Sequence, residues 1–141
     1  MVEEDLSPVS VIERRVYRTP WPTKALAEHL QSASYRYWVS TAAGQVIGYA
    51  GLRVGTYALV TTVTVEPSNR RQGVGAALMR ELIDWGWEHS VVRLRLEVRA
   101  TNEHAMRLYS KFGFRTVGLR RGYYGVEGDA MIMELTRSSD S

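Results

Sequence analysis

The chain has 141 residues, and its 18 Lys and Arg against 15 Asp and Glu give a formal net charge of +3. This length accommodates one substantial hydrophobic core and excludes two. The absence of cysteine excludes a disulfide framework, a thiolate metal site and a covalent cysteine intermediate. The three histidines, at positions 29, 89 and 104, lack the spacing of metal ligands, so we expect no metal.

Charge and apolar runs also limit the partners of the chain. Basic residues cluster only as pairs, such as Arg14-Arg15 and Arg70-Arg71, without the aromatic signature of RNA-binding modules. This pattern disfavours nucleic acid, whereas the mild positive charge suits a small polyanionic ligand. No apolar run approaches the length of a membrane span and the N-terminus carries no signal pattern. We therefore expect a cytoplasmic monomer or weak dimer with no membrane partner.

Two short helices are predicted in the first third of the chain. Val9, Ile12 and Val16 follow helical spacing, and Leu26 and Leu30 do so again after Trp21-Pro22. We expect these helices to form a lid over the rest of the molecule.

The remaining elements predict an α+β domain with a mixed sheet. Three β-rich runs separated by glycine-containing turns read as an antiparallel meander, at residues 35–41, 46–54 and 57–65. Alternating helices and strands follow, at residues 74–89, 91–98, 103–111, 114–119 and 130–135. This second half reads as βαβαβ. One domain is expected over residues 1–141, with a loose tail from residue 136 to 141.

A glycine-rich turn opens the predicted helix at residue 74. Residues 70–76 read Arg-Arg-Gln-Gly-Val-Gly-Ala. Such a turn points backbone N–H groups and the positive end of the helix dipole at one spot, which favours a phosphate. In a dinucleotide-binding unit the first glycine follows the strand almost at once. Here the basic connector 66–72 intervenes, which disfavours a nucleotide-binding domain.

The strand at residues 91–99 has an unusual polar face. One face carries Val92, Leu94, Leu96 and Val98, whereas the other carries Arg93, Arg95, Glu97 and Arg99. A strand inside a βαβ layer is usually apolar on both faces. Glu97 either forms ion pairs with arginines or faces a functional cleft. Its place near the C-terminal end of a parallel strand favours the cleft.

Asn102 and Tyr109 lie just beyond that strand. Asn102 is in position to cap the helix at residues 103–111, and capping alone would explain it. Tyr109 alone would be read as a core aromatic residue. Taken together with Glu97, they are candidates for a site.

These residues belong to a longer resemblance. Residues 96–102 (Leu-Glu-Val-Arg-Ala-Thr-Asn), Ala105 and residues 108–114 (Leu-Tyr-Ser-Lys-Phe-Gly-Phe) closely resemble the RimI branch of the GNAT acetyltransferases, as do residues 120–124 and 127–133. That branch acetylates an N-terminal alanine of a small-subunit ribosomal protein. The turn at 70–76 is similar to the pyrophosphate loop of the superfamily, Arg/Gln-x-x-Gly-x-Gly/Ala. The resemblance covers residues 5–135 and implies the GNAT fold, with helices on both faces of the sheet. Family members usually begin with a strand, which is expected to be short or missing here.

The resemblance also implies a role for each site residue. Glu97 would be the general base for the amine, and Tyr109 would protonate the departing sulfur. Acetyl-CoA would be the cosubstrate, without a metal. Its pantetheine arm would lie against the backbone of Val63, Thr64 and Val65 and against Asn102, and its pyrophosphate against Arg70, Arg71, Gln72, Gly73, Val74, Gly75 and Ala76. Trp21, Tyr123 and Tyr124 would line a peptide groove.

The pKa of the amine favours a protein N-terminus as substrate. An α-amino group titrates near 7.7 to 8.0 and lysine near 10.4, so presenting neutral lysine at pH 7 costs roughly 3 to 4 kcal/mol more. Acetylation of a lysine or of a small-molecule amine remains an alternative. A non-catalytic acyl-CoA-sensing module is disfavoured because both Glu97 and Tyr109 are retained.

Overall fold

A computed structural model of the chain describes residues 1–55, 57–123 and 128–137. Its helices are α1 (Leu6–Val16), α2 (Thr23–Gln31), α3 (Val74–Glu88) and α4 (Glu103–Lys111). Its strands are β1 (Tyr35–Ala42), β2 (Gln45–Arg53), β3 (Ala58–Val65), β4 (Arg93–Arg99), β5 (Arg115–Arg120) and β6 (Ala130–Thr136). The element types and their order follow the prediction.

The strands form one mixed sheet in the order β1-β2-β3-β4-β6-β5. The predicted meander β1-β2-β3 is antiparallel, and β3 and β4 are parallel across α3. The second half departs from a simple βαβαβ reading, because β6 lies between β4 and β5 and is antiparallel to both. The physical reason is composition. Met131, Ile132 and Met133 suit an interior strand, whereas β5 carries arginine at both ends and is largely exposed at the sheet edge.

Helices cover both faces of the sheet, as expected. Tyr37 and Tyr49 point to the face covered by α1 and α2, where they pack with Val9, Ile12 and Leu26. The adjacent residues of β2, Ala50 and Leu52, point to the other face and pack against α3 in the larger core. Because successive side chains of a strand point to opposite faces, the sheet has one apolar layer on each face.

The first two helices are part of the core, so the prediction of a lid is wrong for them. Val9, Ile12 and Leu26 are at most 3% exposed. Of this region, Glu13 of α1 and the connector between the helices reach the site described below. The first strand of the described chain is β1, which follows α2. Within residues 1–55 no strand precedes α1, in line with the short or missing first strand.

The predicted tail begins too early. Thr136 is the last residue of β6. The backbone N–H of Arg137 donates to the carbonyl of Val92 at 2.9 Å, and its guanidinium donates to the carbonyl of Trp87 at 3.0 Å. These two residues are therefore held by the sheet and by α3, and residues 138–141 lie outside the described part of the chain.

Candidate active site

A cleft opens where β3 and β4 diverge. The two strands pair only at Ala58 with Leu94 and at Leu59 with Arg95. Relative to β2, strand β3 carries one extra residue, Thr61, since Gly51 pairs with Thr62 and Leu52 with Val60. Such a bulge bends a strand and increases its twist. The facing edges of β3 and β4 beyond these pairs leave backbone groups available to a ligand.

The cleft is a cavity of about 750 Å³, within the size range of small-molecule and cofactor sites. It brings together six of the residues singled out in the sequence: Val63, Glu97, Asn102, Tyr109, Trp21 and Tyr123. These residues come from the α1–α2 connector, from β3, β4 and α4, and from the segment after β5. The cavity lies beyond the C-terminal ends of the parallel pair, where open sheets place their ligands.

Glu97 lines the cavity with a side chain that is 16% exposed. Its Oε1 lies 3.6 Å from Nη1 of Arg120, which is longer than a charged hydrogen bond of about 2.7 to 2.9 Å. The Arg120 guanidinium also lies 5.5 Å from the centre of the Tyr123 ring. Glu97 therefore both pairs with Arg120 and faces the cleft. Because this ion pair is long, the carboxylate can still accept a hydrogen bond from another partner.

The neighbouring arginines of β4 have a different acceptor. Arg95 donates from Nε to Glu134 of β6 at 2.8 Å, and Nε of Arg93 lies 3.7 Å from the same carboxylate. Hydrogen bonding to Glu134 raises the pKa of Arg95 further above its usual value, although burial opposes the shift. The cross-strand ion pairs with Arg93 and Arg95, which the sequence left open for Glu97, are therefore made by Glu134.

Helix α4 carries Asn102 and Tyr109 into the cavity. The Asn102 side chain accepts a hydrogen bond from the Ala105 N–H at 3.1 Å, so it does cap the helix. Capping uses the amide oxygen and leaves its NH₂ donors for a ligand. Ala105 and Tyr109 are one turn apart and both line the cavity. The Tyr109 ring packs at 6.0 Å from the Phe114 ring, which fixes its orientation against the core.

The glycine-rich turn lies beside the cavity at its Val63 end. Gly73 precedes α3 with φ of 80°, and no side chain caps the helix. The first N–H groups of this 15-residue helix are therefore available to an anion. A Cβ at Gly75 would lie 3.7 Å from Val65 and 3.9 Å from Val63, so the helix start packs directly on the end of β3. Residues 70–76, Thr64 and Val65 are not among the residues that line the cavity.

Aromatic rings also contribute to the cavity lining. Trp21 and Tyr123, 46% and 49% exposed, both line the cavity, whereas Tyr124 lies outside the described residues. His29 stacks on Tyr35 at 3.8 Å and meets the edge of Trp21 at 5.1 Å. Burial lowers the pKa of His29, with Glu28 opposing the shift.

Several cavity residues were not predicted, and Glu13 is the most informative. It lines the cavity and is 2% exposed. Tyr17 also lines the cavity, and its hydroxyl lies 2.6 Å from Oγ1 of the buried Thr64. A signal for Glu13 existed, because it lies four residues after Val9 and three before Val16, on the apolar stripe of its helix.

Within residues 1–55, 57–123 and 128–137, no three His, Cys, Asp or Glu side chains come together as a metal site. No helix in that part of the chain is long and apolar enough to cross a membrane.

Comparison with known proteins places the chain in the class of acyl-CoA-dependent N-acetyltransferases. The family model "Acetyltransferase (GNAT) family" matches residues 6–114. The chain belongs to the GNAT acetyltransferase family and resembles its RimI branch over most of its length, so the resemblance read from the sequence is confirmed.

Named relatives agree with this assignment. The [ribosomal protein bS18]-alanine N-acetyltransferase of Escherichia coli K12 is 36% identical and is matched over 93% of this chain and 90% of its own length. The N-alpha-acetyltransferase RimI of Mycobacterium tuberculosis is 40% identical over 81% and 74% of the two chains. The crystal structure of the ribosomal-protein-S18-alanine N-acetyltransferase from Escherichia coli superposes with a TM-score of 0.89, covering 100% and 95% of the chains at 33% identity.

Proposed function

We propose that this enzyme acetylates the N-terminal α-amine of a protein, and specifically an N-terminal alanine of a small-subunit ribosomal protein. The observation that carries the proposal is the meeting of Glu97 and Tyr109 in one cavity that also contains Trp21 and Tyr123. Relatives matched over nine tenths of this chain are named for the acetylation of an alanine of ribosomal protein bS18. A carboxylate, a phenol and aromatic side chains suit an amine on an extended peptide.

The residues present fit acetyl-CoA. The unpaired edge of β3 offers backbone groups of Val63, Thr64 and Val65 to the amides of the pantetheine arm. The uncapped start of α3, with Arg70, Arg71, Gln72, Gly73, Val74, Gly75 and Ala76, suits the pyrophosphate. Asn102 would hold the pantetheine side through its free amide donors. Acetyl-CoA supplies the acetyl group as an activated thioester, and the protein supplies position and proton transfer.

The chemistry assigned to the chain is a pair of proton transfers. Glu97 takes a proton from the α-ammonium, directly or through one water, and so provides the neutral amine. As the new N–C bond forms and the C–S bond breaks, the Tyr109 hydroxyl would give its proton to the sulfur. The second proton that the nitrogen loses would return to Tyr109, directly or through water, and Glu97 would release its proton to solvent. Backbone N–H groups of β3 polarise the acetyl carbonyl. No group of the protein becomes covalently modified.

A peptide series tests the substrate class. Peptides differing only in their first two residues are assayed for acetyl-CoA turnover, together with an N-terminally blocked peptide carrying an internal lysine. We expect turnover of a peptide that begins with alanine and far poorer turnover of the blocked peptide, because its only amine has the higher pKa. Preferential turnover of the blocked lysine peptide, or of small free amines over every peptide, would contradict the proposal.

The assigned pyrophosphate loop makes a binding prediction. Gly73→Val places a β-branched residue at a φ of 80°, which deforms the turn. We expect acetyl-CoA affinity, measured by calorimetry, to fall at least about tenfold, or ~1.4 kcal/mol. Gly44→Val is a matched control, since Gly44 has φ of 78° and equally open surroundings but lies in the β1–β2 turn. Unchanged affinity in a folded Gly73→Val protein would remove the loop from the binding site.

A further inference from the structure

Glu13 is a buried carboxylate at the cavity wall whose place in the site is not explained by acetyl transfer. It is 2% exposed. Its Oε1 accepts a 2.5 Å hydrogen bond from the hydroxyl of Tyr49, and its Oε2 accepts one of 2.9 Å from the backbone N–H of Trp21. Burying a carboxylate with neutral donors is costly. A carboxylate at this position therefore calls for a role that an apolar residue would not serve.

Its two partners differ in burial. Tyr49 is fully buried in β2, and burial together with the hydrogen bond to Glu13 raises the pKa of its hydroxyl, which stays protonated as a donor. Trp21 lies in the α1–α2 connector and is 46% exposed. Glu13 therefore joins a fixed point in the sheet to an exposed residue of the cavity wall.

The sequence around Trp21 makes its hydrogen bond to Glu13, here called the anchor, important. Pro20 and Pro22 have no backbone N–H. In the segment Pro20-Trp21-Pro22, the Trp21 N–H is the one backbone donor, and Glu13 accepts it. The Trp21 ring meets His29 edge-on at 5.1 Å and is otherwise half exposed, so packing alone fixes its position weakly.

We propose that Glu13 is a positioning residue that sets the place of Trp21 and thereby the selection of the first substrate residue. This inference rests on the proposed function, because it takes Trp21 to contact the peptide. With Trp21 held by Glu13, the wall leaves space for a small first residue. With Trp21 released, a peptide beginning with alanine binds less tightly and larger first residues are excluded less strongly.

Two substitutions separate the acceptor from the rest of the side chain. Glu13→Gln keeps an oxygen that can accept the Trp21 N–H, whereas Glu13→Ala removes it. For Glu13→Ala we expect the KM of an alanine-first peptide to rise about tenfold, with kcat within about threefold of the parent. The affinity for acetyl-CoA should stay unchanged. Glu13→Gln should retain most of the peptide affinity, and the ratio of kcat/KM between alanine-first and leucine-first peptides should fall only in Glu13→Ala.

A double-mutant cycle tests that Glu13 acts through Trp21. Once Trp21→Ala has removed the ring, adding Glu13→Ala should raise the peptide KM less than about twofold further. Additive losses would overturn the inference, as would an unchanged peptide KM in Glu13→Ala. An equal rise of the peptide KM in Glu13→Gln and Glu13→Ala would also overturn the inference, since the charge of Glu13 rather than its acceptor oxygen would then matter.

Hydrogen exchange gives a readout independent of activity and of folding losses. The Trp21 amide should be protected in the parent and in Glu13→Gln, and should exchange freely in Glu13→Ala while the amides of β2 stay protected. Free exchange of the Trp21 amide in the parent would refute the anchor. A parent enzyme that acetylates no free N-terminus would instead refute the proposed function, and the exchange experiment would still test the anchor.

Discussion

Tyr109→Phe is expected to lower kcat by about 10² to 10⁴, the usual contribution of a general acid, while acetyl-CoA affinity stays near that of the parent. The hydroxyl acts only as the thiolate leaves, and the ring that packs on Phe114 is retained. Steady-state and single-turnover kinetics measure the loss, and calorimetry measures the affinity.

Tyr57→Phe is the matched control for this substitution. Tyr57 is 36% exposed and stacks under the Arg95 guanidinium at 4.7 Å, outside the cavity lining. Removal of its hydroxyl should leave kcat unchanged. If Tyr109→Phe turned over within a factor of about two of the parent, with chemistry rate-limiting, Tyr109 would be a core aromatic residue and not the acid.

Glu97→Gln is expected to reduce kcat/KM by about 10² to 10⁴ at neutral pH. The loss should be greatest below about pH 8, where an α-amine is mostly charged, and part of it should recover as the pH passes the pKa of the amine. The recovery follows because a substrate that is already neutral needs no base. The pH profile of kcat/KM for an alanine-first peptide provides the measurement.

Glu134→Gln distinguishes this role from ion pairing on the same sheet. Glu134 holds Arg95 and Arg93, so its substitution breaks charge pairs at a comparable position in β6. We expect a loss of thermal stability with little change in kcat/KM. A Glu97→Gln enzyme with an unaltered pH profile, or a Glu134→Gln enzyme with the same activity loss, would return Glu97 to a structural pairing with Arg120.

Local signals account for how well the helices were predicted. The bounds of α4 match the sequence reading because Asn102 caps its start and Gly113, with φ of 99°, follows its end. The polar face of β4 was predicted equally well, because the strict alternation of apolar and polar residues shows which side chains share a face. These features depend on residues within a few positions of one another.

Features that depend on residues far apart in the sequence were harder to predict. The strand order β4-β6-β5 depends on which strand can be buried on both faces. In the sequence, only a comparison of the composition of β5 with that of β6 indicates this order. The bulge at Thr61 that opens the cavity leaves no glycine or proline signal in β3. Glu13 reaches the site because α1 packs on β2, and its sole signal is a carboxylate on an apolar stripe.

Tandem mass spectrometry of one acetylated peptide tests the central claim most directly. The peptide carries both a free N-terminal alanine and an internal lysine, so the enzyme chooses between two amines under identical conditions. We predict that the acetyl group lies on the α-amine of the alanine, with lysine unmodified at the same extent of reaction. Acetyl groups located mainly on the lysine side chain would contradict N-terminal acetylation while leaving the acetyltransferase fold and its assigned acid and base intact.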